Sequence, residues 1–575
     1  MMFFESLNFF IKKNIKRNPV DFFILVFFVI IESFLVFASF IAVVPFADFI
    51  VDPSLSDPNK FTKSILEIFY YFDFKLNYFN FALFFIAIIF LTAIFSALIL
   101  YQIYRIKMKF EVSLAEDLLN SILFSKWNYL NKLKPGKILN IFTKEIPYVG
   151  SATRSTAQIF SNFFKLLIYL YIPFLINSAF TLQVAVTFLI FGIPFLYLNL
   201  VAKKLGQKRS LQANVTIDKL SETYHALKLI LGFNKSNKTL QNNLSLVQSL
   251  AKLELKSVML TYVIPLSFKP VAIIIILIFF GGSFSTDKIS EFVGIFWGMY
   301  GAIPLVSTIL NNILLTSNFY PSFKQIDDVI ENCVKFQEKE KGKIFEDLEK
   351  EIRFENISFN YKNENIVVKN FNLIIPQKKI TTFFGKTGSG KSTIVDLILG
   401  FQKPVSGEIY YDDIPSENLN IKSFREKVGY VPQDSLLFNM SIKENIFWSN
   451  SKVNEDEIFH ILKDLDARDF VNDIEDLNIV VGERGSKLSG GQRQKIALAR
   501  ALIKKPNILI LDEALSSIDN VSSKKINDHL KNLSKEITII NITHKIDHCK
   551  NSDKIFFKDG NIFKELEKNK LTDLV

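Results

Sequence analysis

Cysteine is almost missing: Cys333 and Cys549 are the only two in 575 residues. Two thiols cannot build a disulfide framework, so a cross-linked secreted domain is excluded, and both fall in segments expected in the cytosol. No cleavable leader is evident either. The opening "MMFFESLNFFIKKNIKR" is amphipathic and basic, which suits an interfacial helix over residues 1–18. The two longest polar connections, 105–158 and 202–257, lack Pro/Gly-rich character and show helical periodicity, as in "VSLAEDLLNSILFSKWNYL". They are expected to prolong membrane helices into the cytoplasm and turn back near 118–134 and 222–234, not to form separate soluble insertions.

Apolar residues, in contrast, are plentiful. They make up 49% of the chain, 59 of them phenylalanine, and they concentrate in 20–317, whereas 350–575 has the look of a soluble domain. The length is too great for one hydrophobic core. Six stretches reach the roughly 20 residues needed to cross hydrocarbon: 21–46, 79–104, 159–180, 182–201, 258–282 and 291–317. Charge orients them. Residues 105–158 carry nine Lys/Arg against four Asp/Glu, 202–257 carry ten against three, and 47–78 carry three against five. The basic loops and both termini are therefore expected inside, and 47–78 outside. Because the net charge of +11 lies largely beside apolar spans, nucleic acid is not the expected partner. The expected domains are 1–18, 19–317, a charged linker at 318–349, and 350–575.

The soluble part carries phosphate chemistry. "GKTGSGKST", Gly385, Lys386, Thr387, Gly388, Ser389, Gly390, Lys391, Ser392 and Thr393, follows the apolar strand "ITTFF" and opens an apolar helix. Glycines let backbone N–H groups wrap phosphate, Lys391 reaches the outer phosphates, and Ser392 is suited to Mg²⁺. In "NILILDEALSSID" a buried strand ends in two carboxylates: Asp512 for the Mg²⁺ shell and Glu513 to polarise the attacking water. A buried strand ending in paired acids without purpose would carry a large desolvation cost. Gln433 in "VGYVPQDSLLF" is placed to reach metal and water, and His544 in "IINITHKI" to contact the terminal phosphate. Tyr361 precedes the loop by a strand pair, where it can stack on adenine, although an aromatic at such a position is more often core. "SKLSGGQRQ" adds a second head for an anion, at the start of a basic helix.

The order Tyr361, "GKTGSGKST", Gln433, "LSGGQ", "ILILDE", "SSID", His544 resembles the ATP-binding-cassette ATPases. With six preceding spans the chain is similar to their exporter-type half-transporters. The resemblance implies a multidomain membrane protein, with an all-α six-helix transmembrane domain joined to an α/β P-loop nucleotide-binding domain. It implies ATP and Mg²⁺ as cofactors, and a second half-transporter as partner: a homodimer, favoured because every catalytic element is present, the alternative being a heterodimer with a degenerate partner. It implies that Ser489, Gly490, Gly491 and Gln492 bind the nucleotide held by the partner's phosphate loop, with Asp519 also at the nucleotide. Glu483 in "VGERGSKLSGGQ" falls where exporter members face the transmembrane domain. Leu515, "SSID" and Lys378–Lys379 depart from common choices without removing a catalytic group. The implied location is the inner membrane of a bacterium, with the cassette in the cytoplasm.

The cargo is less legible. Glu32 and Lys269 lie mid-span, where a charge is costly. They are expected either to pair between spans 1 and 5 or to border the path of a polar substrate, while Lys165 snorkels to the interface. In "FTKSILEIFYYF", Phe61, Ile65, Phe69 and Phe72 form an apolar stripe suited to the membrane surface. That outer segment, with "IESF" and "YGAIPLVSTILNN", is similar to flippases of lipid-linked oligosaccharides. Gly301, however, stands where an arginine facing pyrophosphate is expected. Export of a hydrophobic drug, lipid or peptide is the alternative.

Overall fold

The computed structural model describes residues 18–51, 60–71, 77–176, 178–267, 270, 273–274, 289–338, 340–361, 368–385, 389–559 and 562–565. The expected interfacial helix, apart from Asn18, and nearly half of the span expected at 258–282, with Lys269, lie outside these residues. The chain divides into two compact units, Met1–Ser125 with Tyr129–Gln337, and Lys126–Asn128 with Glu338–Val575.

The first unit is helical. Its main elements are α1 (Pro19–Val51), α2 (Lys60–Tyr71), α3 (Tyr78–Leu123), α4 (Ile146–Ile176), α5 (Ser178–His225), α6 (Ser236–Val258) and α7 (Ile289–Lys335). α3, α5 and α7 run for 46, 48 and 47 residues. At 1.5 Å per residue each is about 70 Å long, roughly twice the hydrocarbon thickness, so their polar ends must leave the membrane. α1 is apolar on every side, as a helix surrounded by lipid and protein has no need of a polar face. Among the described residues four stretches are long and apolar enough to cross: Pro19–Ser39, Phe79–Leu123, Pro135–Leu175 and Gly298–Lys335. Short helices, Trp127–Leu130 and Leu227–Gly232, occupy the regions where the cytoplasmic turns are expected.

Two sequence expectations are corrected here. Glu32, fully buried, takes Lys165 as its partner: Lys165 Nζ lies 2.6 Å from Glu32 Oε1, and Ser96 Oγ also donates to that oxygen. Lys165 therefore ties α4 to α1 and does not snorkel. The pairing was not legible because it depends on how two helices are rotated about their axes, which spacing along one chain does not encode. Likewise Phe69 of the α2 stripe is not laid on a surface. Phe69 is buried and stacks on Phe81 of α3 at 4.7 Å, while Tyr70 and Tyr71 are exposed. An apolar stripe at helical spacing says that something covers it; at Phe69 another helix does. Phe72 and the side chains of Phe61 and Ile65 lie outside what is described.

The buried pair makes a first prediction. Lys165→Ala would leave the Glu32 carboxylate enclosed without its cation, which costs about 3–5 kcal/mol. Replacing both, Glu32→Leu with Lys165→Met, is expected to recover most of that loss. Thermal unfolding in detergent reads the stability. Full transport by the stable double variant would assign the pair to structure and remove it from the substrate path.

The second unit is α/β. A four-stranded antiparallel sheet has order β2-β1-β4-β5, with β1 Glu351–Phe359, β2 Val368–Pro376, β4 Ser406–Tyr411 and β5 Ile414–Pro415. A six-stranded sheet has order β10-β9-β3-β8-β7-β6, with β3 Ile380–Phe384, β6 Val428–Val431, β7 Ile508–Asp512, β8 Thr538–Thr543, β9 Lys554–Asp559 and β10 Ile562–Glu565. β3, β6, β7, β8 and β9 pair in parallel. β3, β7 and β8 are buried along their whole length, which is why none of them alternates apolar with exposed polar residues: β7 is apolar up to Asp512, and the polar residues of β3 and β8 are buried threonines and Asn541. Parallel strands bring their C-terminal ends to one edge, the usual place for a ligand in such sheets. Phe384, Val431, Asp512 and Thr543 end four neighbouring strands there.

Candidate functional site: a phosphate loop facing paired carboxylates

Gly390, at φ +86, makes the left-handed turn that starts α8 (Lys391–Ile398). A side chain at that φ would be strained, so glycine is needed to point the helix N-terminus at the loop. Lys391 is buried; its ammonium donates to Gly385 O at 2.9 Å and lies 3.4 Å from Ser389 Oγ. Burial lowers its pKa below the ordinary lysine value, and Glu513 and Asp512 oppose the shift. The next residue, Ser392, donates to Asp512 Oδ1 at 3.2 Å, joining the loop to the end of β7. Burial pushes the Asp512 carboxyl above its usual range, against the Ser392 hydroxyl. It also pushes Asp396, with Asp512 nearby, up to about 6. Asp512 and Glu513 thus lie near buried Lys391, and Asp396 near Asp512, a concentration of acidic groups that suits a bound cation. Lys386, Thr387 and Gly388 lie outside the described residues.

Glu513 follows β7 and gathers two other chain segments. Gln433 Nε2, just past β6, donates to Glu513 Oε2 at 3.1 Å. His544 Nδ1, just past β8, lies 3.6 Å from the same oxygen. Tyr361 hydroxyl is 3.2 Å from Thr393 Oγ1, and its ring meets Phe359 edge-on at 5.0 Å, so it sits against the start of the loop helix. The structure therefore brings together Tyr361, Gly385, Ser389, Gly390, Lys391, Ser392, Thr393, Gln433, Asp512, Glu513 and His544.

Ser489 is the N-cap of α9 (Gly490–Leu502). Its Oγ accepts from Gln492 N at 3.2 Å, while Gln492 Oε1 accepts from Ser489 N at 3.0 Å. This reciprocal cap fixes the head of the helix and leaves the N–H groups of Gly490 and Gly491 to face a ligand. Asp519 caps the next helix, α10 (Asn520–Leu533), through Val521 N and Ser522 N at 3.0 and 2.9 Å. Those N–H donors hold its carboxyl below the usual range. In this structure Asp519 orders the chain after Glu513.

Sequence reading missed Gln494, Lys545 and the backbone of Glu513. Gln494 is buried and bonds to three residues between 513 and 517. Glu513 has φ +51, rare for a side-chain-bearing residue and a mark of local constraint. The weak signal was positional: Gln494 falls on a helix whose neighbours Ile496, Ala497 and Leu498 are core.

Residues 368–516 match the family described as ABC transporter. An export ATP-binding/permease protein of Rickettsia typhi is 28% identical over 458 residues, covering 74% of this chain and 76% of that one. Over about three quarters of its length the chain is similar to ATP-binding-cassette exporters. The heterocyst differentiation ATP-binding protein HepA of Nostoc sp. is also 28% identical, over 436 residues, with 74% and 71% coverage. A bacterial Atm1-family ABC exporter solved with ATP bound has the same fold, with a TM-score of 0.79 at 18% identity and 97% of both chains covered. This ABC exporter half-transporter thus joins a helical multi-pass membrane unit to an ATP-binding unit, and couples ATP hydrolysis to export.

Proposed function

We propose that two copies of this half-transporter enclose MgATP between their cassettes and use its hydrolysis to turn an amphiphile across a bacterial inner membrane. The observation that carries the ATPase reading is the meeting of Lys391, Ser392, Asp512, Gln433, His544 and Glu513 at one sheet edge. In it, Lys391 and the loop amides of 385–393 hold the β- and γ-phosphates, and Tyr361 supports adenine. Ser392 and Asp512 fit Mg²⁺, a hydroxyl and a buried carboxylate 3.2 Å apart, with Gln433 near enough to complete the shell. The ion's contribution is to neutralise charge on the phosphates. Glu513 takes the proton of the attacking water, and His544 contacts the terminal phosphate. Ser489, Gly490, Gly491 and Gln492 close over the nucleotide of the second copy, so neither copy completes a site alone. Exposed Leu229, Leu231 and Phe233 in and just after the Leu227–Gly232 helix offer that copy an apolar surface.

An apolar pocket of about 410 Å³ between α1 and α4, walled by Val29, Ile30, Phe34, Phe160, Phe164 and Leu167, supports a substrate with a hydrocarbon part. Support for a pyrophosphate head is weaker. A Cβ added at Gly301 would stand 2.1 Å from the Tyr169 ring, so an arginine there requires that ring to move. The reading therefore extends from lipid-linked oligosaccharides to amphiphilic lipids as a class. Reconstitution in liposomes tests it. ATPase stimulation together with translocation of a lipid-linked sugar or a labelled phospholipid is expected. Stimulation by hydrophobic drugs alone would replace the lipid reading with the drug exporter.

A further inference from the structure

We propose that Gln494 is a positioning residue that links the signature helix of each cassette to its own Glu513, and thereby couples the two nucleotide sites. The inference rests on the dimer reading above. Gln494 lies five residues beyond Ser489 on α9 and is only 3% exposed. Its Nε2 lies 3.4 Å from Glu513 O and donates to Ser516 Oγ at 3.1 Å, while its Oε1 accepts from Ser517 N at 2.9 Å. The orientation of the amide is fixed by its neighbours. Ser517 N–H can only donate and Glu513 C=O can only accept, so one of the two flips satisfies both.

What Gln494 holds is a constrained segment. Glu513 sits at φ +51, and its own N–H donates to Ile542 O of β8 at 3.0 Å. Its two peptide groups are thus held from opposite sides, by β8 and by α9. The head of α9 also backs directly onto the same segment. A Cβ on Gly490 would lie 3.2 Å from Ser517 Cβ, and one on Gly491 would lie 3.0 Å from Ser517 O. From the other side Lys545, the residue after His544, donates to Ser516 O at 2.9 Å. Residues 513–517 therefore have no slack between α9 and the end of β8. A shift of the α9 head as phosphate arrives or leaves is passed through the Gln494 amide to the carbonyl of the residue that activates water. Each copy's α9 faces the other copy's nucleotide, so occupancy of one site adjusts the base of the other.

Two variants of the full-length protein in nanodiscs test this. Gln494→Glu keeps the acceptor for Ser517 N but turns the donor facing Glu513 O into a second acceptor; Gln494→Leu removes both. The measurements are the Hill coefficient and kcat of ATP hydrolysis, the Kd of a fluorescent ATP analogue, and the unfolding temperature. For Gln494→Glu the Hill coefficient is expected to fall from above one to one. kcat should drop by about tenfold or more as the base loses its placement, with Kd within about twofold of wild type. A residue that merely fills space would lower the unfolding temperature without touching the Hill coefficient. An unchanged Hill coefficient in a folded variant overturns the proposal whatever happens to kcat. A wild-type dimer with a Hill coefficient of one also overturns the coupling, whereas full activity in a protein shown to be monomeric would overturn the dimer reading beneath it.

Discussion

Glu513→Gln is expected to bind ATP as the wild type does and to hydrolyse it about 10²–10⁴ times more slowly, the usual contribution of a positioned general base. That corresponds to roughly 3–5 kcal/mol added to the barrier. The substitution keeps nearly everything except basicity. Gln433 Nε2 lies 3.1 Å from Glu513 Oε2, and a glutamine carbonyl still accepts that bond, though more weakly than a carboxylate. The left-handed backbone at 513 carries either side chain at similar cost, so the fold has no reason to loosen. His544, 3.6 Å from Glu513 Oε2, keeps a neighbour to orient on. Binding without turnover leaves the nucleotide in place, and the two cassettes should stay closed. Phosphate release at saturating ATP, together with crosslinking between copies, measures both halves of the expectation. Hydrolysis within a few-fold of wild type would remove Glu513 from the role of base and move the search to other groups around the phosphate.

Different parts of this site were legible to different degrees, for identifiable reasons. The phosphate loop and the paired acids are local codes. Gly390 must be glycine because its φ is +86, and a strand of four buried apolar residues ending in Asp512 announces itself by the cost of burying that charge. Their mutual approach, Ser392 to Asp512 across 120 residues, follows from parallel strands that share one edge. Interactions between faces are not local. Nothing in the spacing of α1 says that Glu32 turns toward Lys165, and nothing in "FTKSILEIFYYF" says whether lipid or α3 covers Phe69. Ser489 illustrates a third case. The sequence marks it as the head of an anion site, whereas the structure adds that its side chain closes a reciprocal cap with Gln492. The anion is left to the backbone N–H groups and the helix terminus. Gln494 was invisible because a glutamine in a basic helix is usually solvated; only burial and its three partners show that it is not.

Lys391→Ala acts at an earlier step, on binding itself. The ammonium is buried and already pulled below its ordinary pKa by desolvation, so its charge is held against a penalty that a bound polyphosphate would offset. Gly385 O and Ser389 Oγ hold it across the loop at 2.9 and 3.4 Å, which fixes its direction before nucleotide arrives. Truncation removes a charge-assisted bond to phosphate and leaves Asp512 and Glu513 without a neighbouring cation. Losing one partner of such a desolvated pair costs about 2–5 kcal/mol, or roughly 30-fold to several-thousand-fold in Kd. The repulsion left among the carboxylates also weakens phosphate binding by raising the negative potential in the loop. Titration with a fluorescent ATP analogue in the presence of Mg²⁺ measures the change. The contrast with Glu513→Gln separates the two roles: one variant holds ATP and does not cut it, the other scarcely holds it. Wild-type affinity in Lys391→Ala would mean that the loop amides and the helix terminus alone carry the phosphates, and that the lysine serves only the transition state.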